Sequence, residues 1–166
     1  TGRNRAAAWH HHFGAAIVTS MPEVATKWQR FDQLMVDGLY ELLRFRQGIF
    51  VVEQGSPYPD LDGLDQDAWH LLLRVEGELA GYLRLMQMPV RIGRVAVAPH
   101  FRGRGLGRRL IEEALLFCRA QYLGVPVGLT AQAHLVPFYR GFGFEPIGEP
   151  FNDFGVAHVE MKLLHT

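Results

Sequence analysis

Apolar residues recur along this chain with two periods, and each period marks a kind of element. Over residues 34 to about 52 they fall at Leu39, Leu42, Leu43, Phe45, Ile49 and Phe50, the spacing of an amphipathic helix. Asp32 precedes this run as a candidate N-cap. Gly48 interrupts it at a cost of about 1 kcal/mol relative to Ala, which predicts a break into two pieces. A second helix is predicted over residues 105–121. Leu106, Leu110, Ala114, Leu115, Phe117 and Cys118 form its apolar face, and Arg108, Arg109, Glu112, Glu113 and Arg119 its polar one. A short third helix, residues 134–140, ends at Gly141.

The remaining apolar runs are short and have strand character. Residues 25–31 read as a first strand packed through Trp28. Residues 69–75 and 79–86 flank the tight turn Glu76-Gly77-Glu78, a hairpin signal, and Met88-Pro89 leads to a third strand over 90–98. These three form an antiparallel meander. Residues 125–130 follow the long helix, so that strand should run parallel to the one before the helix. Residues 144–147 and 156–164 make a closing hairpin around Asn152 to Gly155. The pattern predicts a mixed α/β fold.

The junction between the 90–98 strand and the long helix stands apart. It reads Pro99-His-Phe-Arg-Gly-Arg-Gly-Leu-Gly-Arg-Arg109. Gly103, Gly105 and Gly107 permit sharp bends and close approach of a ligand to the backbone. The first turn of the helix offers amide donors without partners, at the positive end of the helix dipole. Together they make an anion site. Arg102, Arg104, Arg108 and Arg109 crowd that positive end, and no acid lies between Val90 and Ile111. A triphosphate-binding loop is excluded because no Gly-Lys-Ser/Thr follows, and the glycine spacing does not fit a dinucleotide fold.

Composition narrows the classes. One domain accommodates 166 residues, and a formal net charge of +0 creates no global field toward nucleic acid or membrane. No apolar run is long enough to span a membrane. Cys118 is the sole cysteine, so no internal disulfide forms; it groups with the apolar face of the long helix and fits a reducing, cytoplasmic setting. Acids concentrate at Glu53, Asp60, Asp62, Asp65 and Asp67. The calcium-loop pattern fails there, since Leu64 occupies the third ligand position, and no metal is expected. Asp65 and Asp67 read as a solvated turn, as do Arg44 and Arg46 on the first helix. Glu53, Asp60 and Asp62 read either the same way or as a negative rim for an ammonium substrate. Residues 1–20, with His10 to His12, read as an N-terminal extension, a surface tract or added sequence, ahead of a single domain over 21–166.

Arg102-x-x-Gly105-x-Gly107 after a Val-x-Val-x-Pro strand resembles the acyl-CoA loop of the GNAT superfamily of N-acetyltransferases. The ElaA-like branch is suggested by Phe50-Val-Val-Glu-Gln54, Tyr58-x-Asp60-x-Asp62-Gly63, Ala131-Gln-Ala-His134 and Phe138-Tyr139-x-x-Gly-Phe-Gly-Phe144. The resemblance implies a central, mostly antiparallel sheet with a splayed parallel pair of strands, flanked by helices. It implies that backbone groups of Val95, Ala96 and Val97 bond the pantetheine arm of acetyl-CoA. The loop Arg102, Gly103, Arg104, Gly105, Leu106, Gly107 and Arg108 would hold the pyrophosphate, with Leu106 needed more for packing and the arginine side chains meeting phosphates. Gln132 and Leu135 depart from the Asn and Ala of many members.

The implied reaction is direct attack of a primary amine, on a small molecule or peptide, upon the thioester. Tyr139 matches the family's position for the acid that protonates the leaving thiolate; packing or a structural hydrogen bond is its other reading. Glu53, His70 and His134 are the candidate bases, with a water chain as the alternative. Glu53, Asp60, Asp62, His70 and Gln132 are the candidate acceptor-binding residues. The competing readings are a non-catalytic acyl-CoA-binding sensor or scaffold, and a nucleic-acid module, which lacks an aromatic platform beside the arginines. A homodimer through the closing strands is an open possibility.

Overall fold

The computed structural model describes residues 22–164. The expectations for residues 1–20 and for the histidine tract lie outside that span. Seven strands form one sheet in the order β1-β2-β3-β4-β5-β7-β6. They are β1 (Val24–Arg30), β2 (Trp69–Val75), β3 (Glu78–Gln87), β4 (Val90–Val97), β5 (Val127–Gln132), β6 (Glu145–Asp153) and β7 (Val156–Leu163). Every neighbouring pair is antiparallel except β4–β5, which is parallel. The crossover from β4 to β5 carries the long helix, as the right-handed connection of parallel strands requires, and a second crossover takes the chain from β5 past β7 to β6. This is the mixed fold expected.

Helix α1 (Val36–Gln47) lies on one face of the sheet and α2 (Leu106–Gln121) on the other. Leu42 of α1 packs with Leu72, Leu79 and Tyr82. Leu110, Ile111, Ala114 and Cys118 of α2 are fully buried against Leu71, Leu73, Leu83 and Ile92. Gly81 lets α2 approach β3 closely: a Cβ there would sit 3.2 Å from Leu110 Cδ1. The short α3 (Val136–Arg140) follows a 3-10 turn at Ala133–Leu135, so His134 precedes the helix proper.

Three local expectations change. Asp32 does not cap α1; it falls in a separate 3-10 turn, Phe31–Gln33, and the helix starts at Val36 after Met35. The break at Gly48 is a switch of winding: Gly48–Glu53 continues as a π-helical segment that carries the chain on to Glu53. Arg46 is not solvated. It is fully buried, sharing one helix face with Leu42 and Ile49.

Candidate active site

The β4–β5 pair opens almost as soon as it forms. Cα partners exist only at Arg91↔Gly128 and Ile92↔Leu129, after which the two strands have no ladder between them. The cause is visible on β4. Between the pairs Arg84↔Gly93 and Tyr82↔Ala96, Arg94 and Val95 stand opposite Leu83 alone. This is a β-bulge, which bends its strand and raises the local twist. Arg94 holds φ at +53°, a left-handed conformation unusual for a residue with a side chain.

Side chains from a distant loop fix that bulge. Arg94 Nε donates to Asp60 at 2.7 Å, and Nη2 to the Asp60 carbonyl at 3.0 Å and to Asp62 at 3.1 Å. Its guanidinium stacks over the Tyr58 ring at 4.8 Å. Asp60 also accepts from Arg46 at 2.9 Å, Asp65 from Arg46 and Arg84 at 2.8 Å each, and Asp62 from Arg84 at 2.6 and 2.7 Å. Three aspartates therefore meet three arginines in a closed lattice joining α1, the 54–67 loop, β3 and β4. Hydrogen bonding from Arg84 holds the Asp62 carboxyl far below the usual carboxylate range, although partial burial opposes it. Burial would raise Asp65, but its bonds from Arg46 and Arg84 prevail and lower it. Asp60 and Asp62 are thus not a free negative rim, and Asp65 is buried rather than solvated.

Past the bulge, β4 exposes its backbone to the opening. Ala98 N–H donates to Ala80 O at 2.9 Å, and the Ala96 carbonyl lies beside Gly81. Alternation then turns the polar groups of Ala96 toward β3 and those of Val95 and Val97 toward the gap. The Val97 carbonyl accepts Arg102 Nε at 3.0 Å.

Beyond β4 the chain makes a 3-10 turn, Pro99–Phe101, and enters the glycine loop. Gly103 and Gly105 adopt φ of +75° and +77°. Gly105 occupies the N-cap of α2, and the first helical bond runs from Arg109 N–H to its carbonyl at 3.1 Å. Among the described residues the amides of 103–108 have no protein acceptor. Leu106 within this run is buried in the core. The arginine side chains are arranged differently from expectation. Arg102 turns away from the loop to a bidentate pair with Glu53 at 2.7 and 2.9 Å. Arg104 lies over Phe101 at 5.2 Å and Arg108 over Phe142 at 4.9 Å, while Arg109 pairs with Glu113 at 2.8 Å. The sequence placed no acid inside the loop; the fold brings Glu53, and the next helical turn brings Glu113.

Tyr139 lies on the α2 side of the sheet, packed edge-on to Phe138 and Phe144. Burial pushes its hydroxyl up to about 12, so it stays protonated as a donor. None of the described residues hydrogen-bonds to it, yet it is not sealed from solvent. His134 is exposed, and Gln132 is half-buried at the end of β5. His70 lies inside the molecule: it is fully buried, with Nδ1 2.7 Å from the Tyr82 hydroxyl and Nε2 2.9 Å from the Asp65 carbonyl. Burial depresses its pKa and keeps it neutral. It offers a substrate no open face. Among the described residues no three His, Cys, Asp or Glu side chains cluster as metal ligands.

Sequence reasoning missed Arg46, Arg84 and Arg94. A signal existed for Arg46, whose i, i+4, i+7 spacing with Leu42 and Ile49 put it on the buried face. Nothing local marked Arg94, because its role depends on an acidic loop 34 residues away.

A parallel pair split by a bulge, beside a helix start lined with open amides, defines the acyltransferase class of α/β proteins. The chain belongs to the GNAT acetyltransferase family, whose domain description matches residues 51–165. Within the family it is ElaA-like. It is 40% identical to Protein ElaA of Escherichia coli over 144 residues, 81% of this chain and 94% of that one. The crystal structure of Escherichia coli ElaA superposes with a TM-score of 0.80 at 38% identity, covering 84% of this chain and 99% of the other. An acyl-CoA N-acyltransferase from Pseudomonas aeruginosa matches with a TM-score of 0.79 at 37% identity over the same shares.

Proposed function

We propose that this protein transfers an acetyl group from acetyl-CoA to a primary amine of a small molecule or peptide by direct attack. The observation that carries the reading is the run of open amides at 103–108 beside the β4–β5 gap. Six consecutive N–H groups at a helix N-terminus suit a diphosphate, and the left-handed glycines shape the turn that carries them. The similarity to an acyl-CoA N-acyltransferase supports the same donor. The bound thioester supplies an activated acyl carbon.

The residues then divide the work. The edge of β4 at Val95 and Val97 receives the pantetheine amides as a missing strand would, with one lone pair of the Val97 carbonyl already taken by Arg102. An N–H of this edge near the bulge donates to the carbonyl oxygen as it gains charge. Tyr139 delivers a proton to the departing sulfur. Its raised pKa does not disqualify it, because a thiolate forming in the same desolvated cleft is penalised for the same reason. Glu53 holds Arg102, and Arg102 holds the Val97 carbonyl, so Glu53 steadies the end of β4 instead of taking a proton.

Release of free thiol from acetyl-CoA, followed with a thiol-reactive dye against polyamines, amino acids, aminoglycosides and peptides, tests the reading. Amine-dependent release is expected. Tight acetyl-CoA binding with no release for any amine would favour the sensor reading instead.

A further inference from the structure

If the thioester lies in the gap, the amine must reach it from one face of the sheet, and the strand alternation identifies that face. Leu129 and Ala131 of β5 and Val159 and Met161 of β7 are buried with α2. Their alternates, Thr130 and Gln132 on β5 and His158 and Glu160 on β7, therefore point to the opposite face. Helix α1 packs on that face against β2 and β3. Over β4, β5 and β7 it is bare of helix. There Arg91 Nη2 lies across β5 to reach Thr130 at 2.9 Å and Glu160 at 2.8 Å. At the far end, Tyr58 of the acidic loop meets Phe154 of the β6–β7 turn edge-on at 5.5 Å. This stretch of sheet face thus carries a charged clip at the closed end of the gap and an aromatic pair beside the open end.

We propose that His158 is the proton acceptor for an amine that approaches over this face. The assignment rests on the acyl-transfer reading above. His158 stands opposite Gln132, the last residue of β5, where the gap is open. Its Nδ1 lies 2.9 Å from the Val156 carbonyl. A carbonyl only accepts, so Nδ1 carries the hydrogen and Nε2 keeps its lone pair. No described residue bonds Nε2, and the Phe151 ring lies beside the imidazole, the ring centroids 6.1 Å apart. The other candidates lack this combination. His70 has both nitrogens engaged in the core, and Glu53 is clamped by Arg102.

Nε2 takes a proton from the ammonium, and the freed nitrogen pair forms the C–N bond. The C–S bond breaks, and its electrons leave on sulfur, which is protonated from Tyr139. The acylated nitrogen then gives up its second proton, which restores Tyr139 through solvent, and His158 releases the proton it took, so ammonium and thioester become amide, thiol and one free proton. His158 and Tyr139 act from opposite faces of the sheet, so the proton-taking and proton-giving groups do not compete for one position. The charged groups on the His158 face are Glu160 and Lys162 on β7, Glu145 and Asp153 on β6, and Arg91 and Arg94 on β4. Glu160 is tied to Arg91, and Arg94 to Asp60 and Asp62.

The test uses the full chain with acetyl-CoA and putrescine, tyramine or lysine methyl ester, from about pH 6.5 to about pH 9.5, over which the neutral fraction of a lysine-like amine of pKa about 10.4 rises roughly a thousandfold. His158→Asn keeps a donor for the Val156 carbonyl but has no base; His158→Gln is the second variant. Both are expected to lower kcat about 100-fold near pH 7 with the acetyl-CoA KM unchanged. The deficit should shrink as pH rises and solution supplies neutral amine. Loss by the same factor at every pH marks a structural role and overturns the assignment, as do unchanged rates. A wild-type chain that cleaves no thioester with any of these amines overturns the parent reading and the assignment with it.

Discussion

Tyr139 and Arg94 show how one side chain is given its property by its surroundings. Tyr139 acquires a raised pKa because aromatic rings replace water around it. Replacing it with Phe removes the proton donor while leaving the ring that packs. Tyr139→Phe should slow acetyl transfer by one to three orders of magnitude, about what a positioned acid contributes, with acetyl-CoA affinity unchanged in a titration. Full turnover by this variant would leave the tyrosine with packing alone. Arg94 carries a backbone conformation that costs roughly 1 kcal/mol or more for a residue with a Cβ. Its bonds to Asp60 and Asp62 offset that cost and hold the bulge in place.

At the scale of the element, the N-terminus of α2 is built to leave its donors free. A side-chain cap would satisfy one of them, and Gly105 in the N-cap position offers none. Glycine also permits the positive φ at which the loop turns into the helix. Gly105→Val is strained at φ +77° and projects a branched side chain beside the amides. It should abolish acetyl-CoA binding while the far-UV spectrum keeps its helix and strand content. Normal affinity measured by calorimetry would show that the phosphates sit elsewhere. Of the arginines in this stretch, Arg102 bonds β4 and Glu53, and Arg109 pairs along its own helix.

At the scale of the molecule, the aspartate–arginine lattice ties α1 to the strands that open. Its charges balance, three against three, and Arg46, Asp60, Asp65 and Arg84 are buried. Buried pairs of this kind tolerate the loss of one member poorly, because the partner is left charged and dry. Asp62 and Asp65 titrate lower in the folded protein than the roughly 3.9 of an unfolded aspartate. Their contribution to stability is complete above that value and is lost as pH falls toward and through the folded pKa values. The thermal midpoint should stay level from about pH 7 to about pH 5 and drop steeply below about pH 4. Asp62→Asn should be less stable at neutral pH and show a shallower acid decline. An unchanged acid decline in that variant would remove Asp62 as its source.

Read locally, the sequence determined the strands, the two long helices, the glycine turn at the head of α2 and the parallel placement of β5. Each follows from spacing, turn residues and handedness within about twenty residues, where period and punctuation act directly on the backbone. Tertiary structure alone decided what the charged residues do. Asp60, Asp62 and Asp65 look like a solvent-facing loop until Arg46, Arg84 and Arg94 arrive from a helix and two strands. Glu53 has the chemistry of a base until Arg102 closes on it, and His70 has the chemistry of a substrate ligand until the core covers it. His158 gains its candidacy only because β7 pairs with β5 and not with its neighbour in sequence order alone. Coulombic and hydrogen-bond partners are chosen by proximity in space, and no local period records which distant charge will fill the place beside a carboxylate.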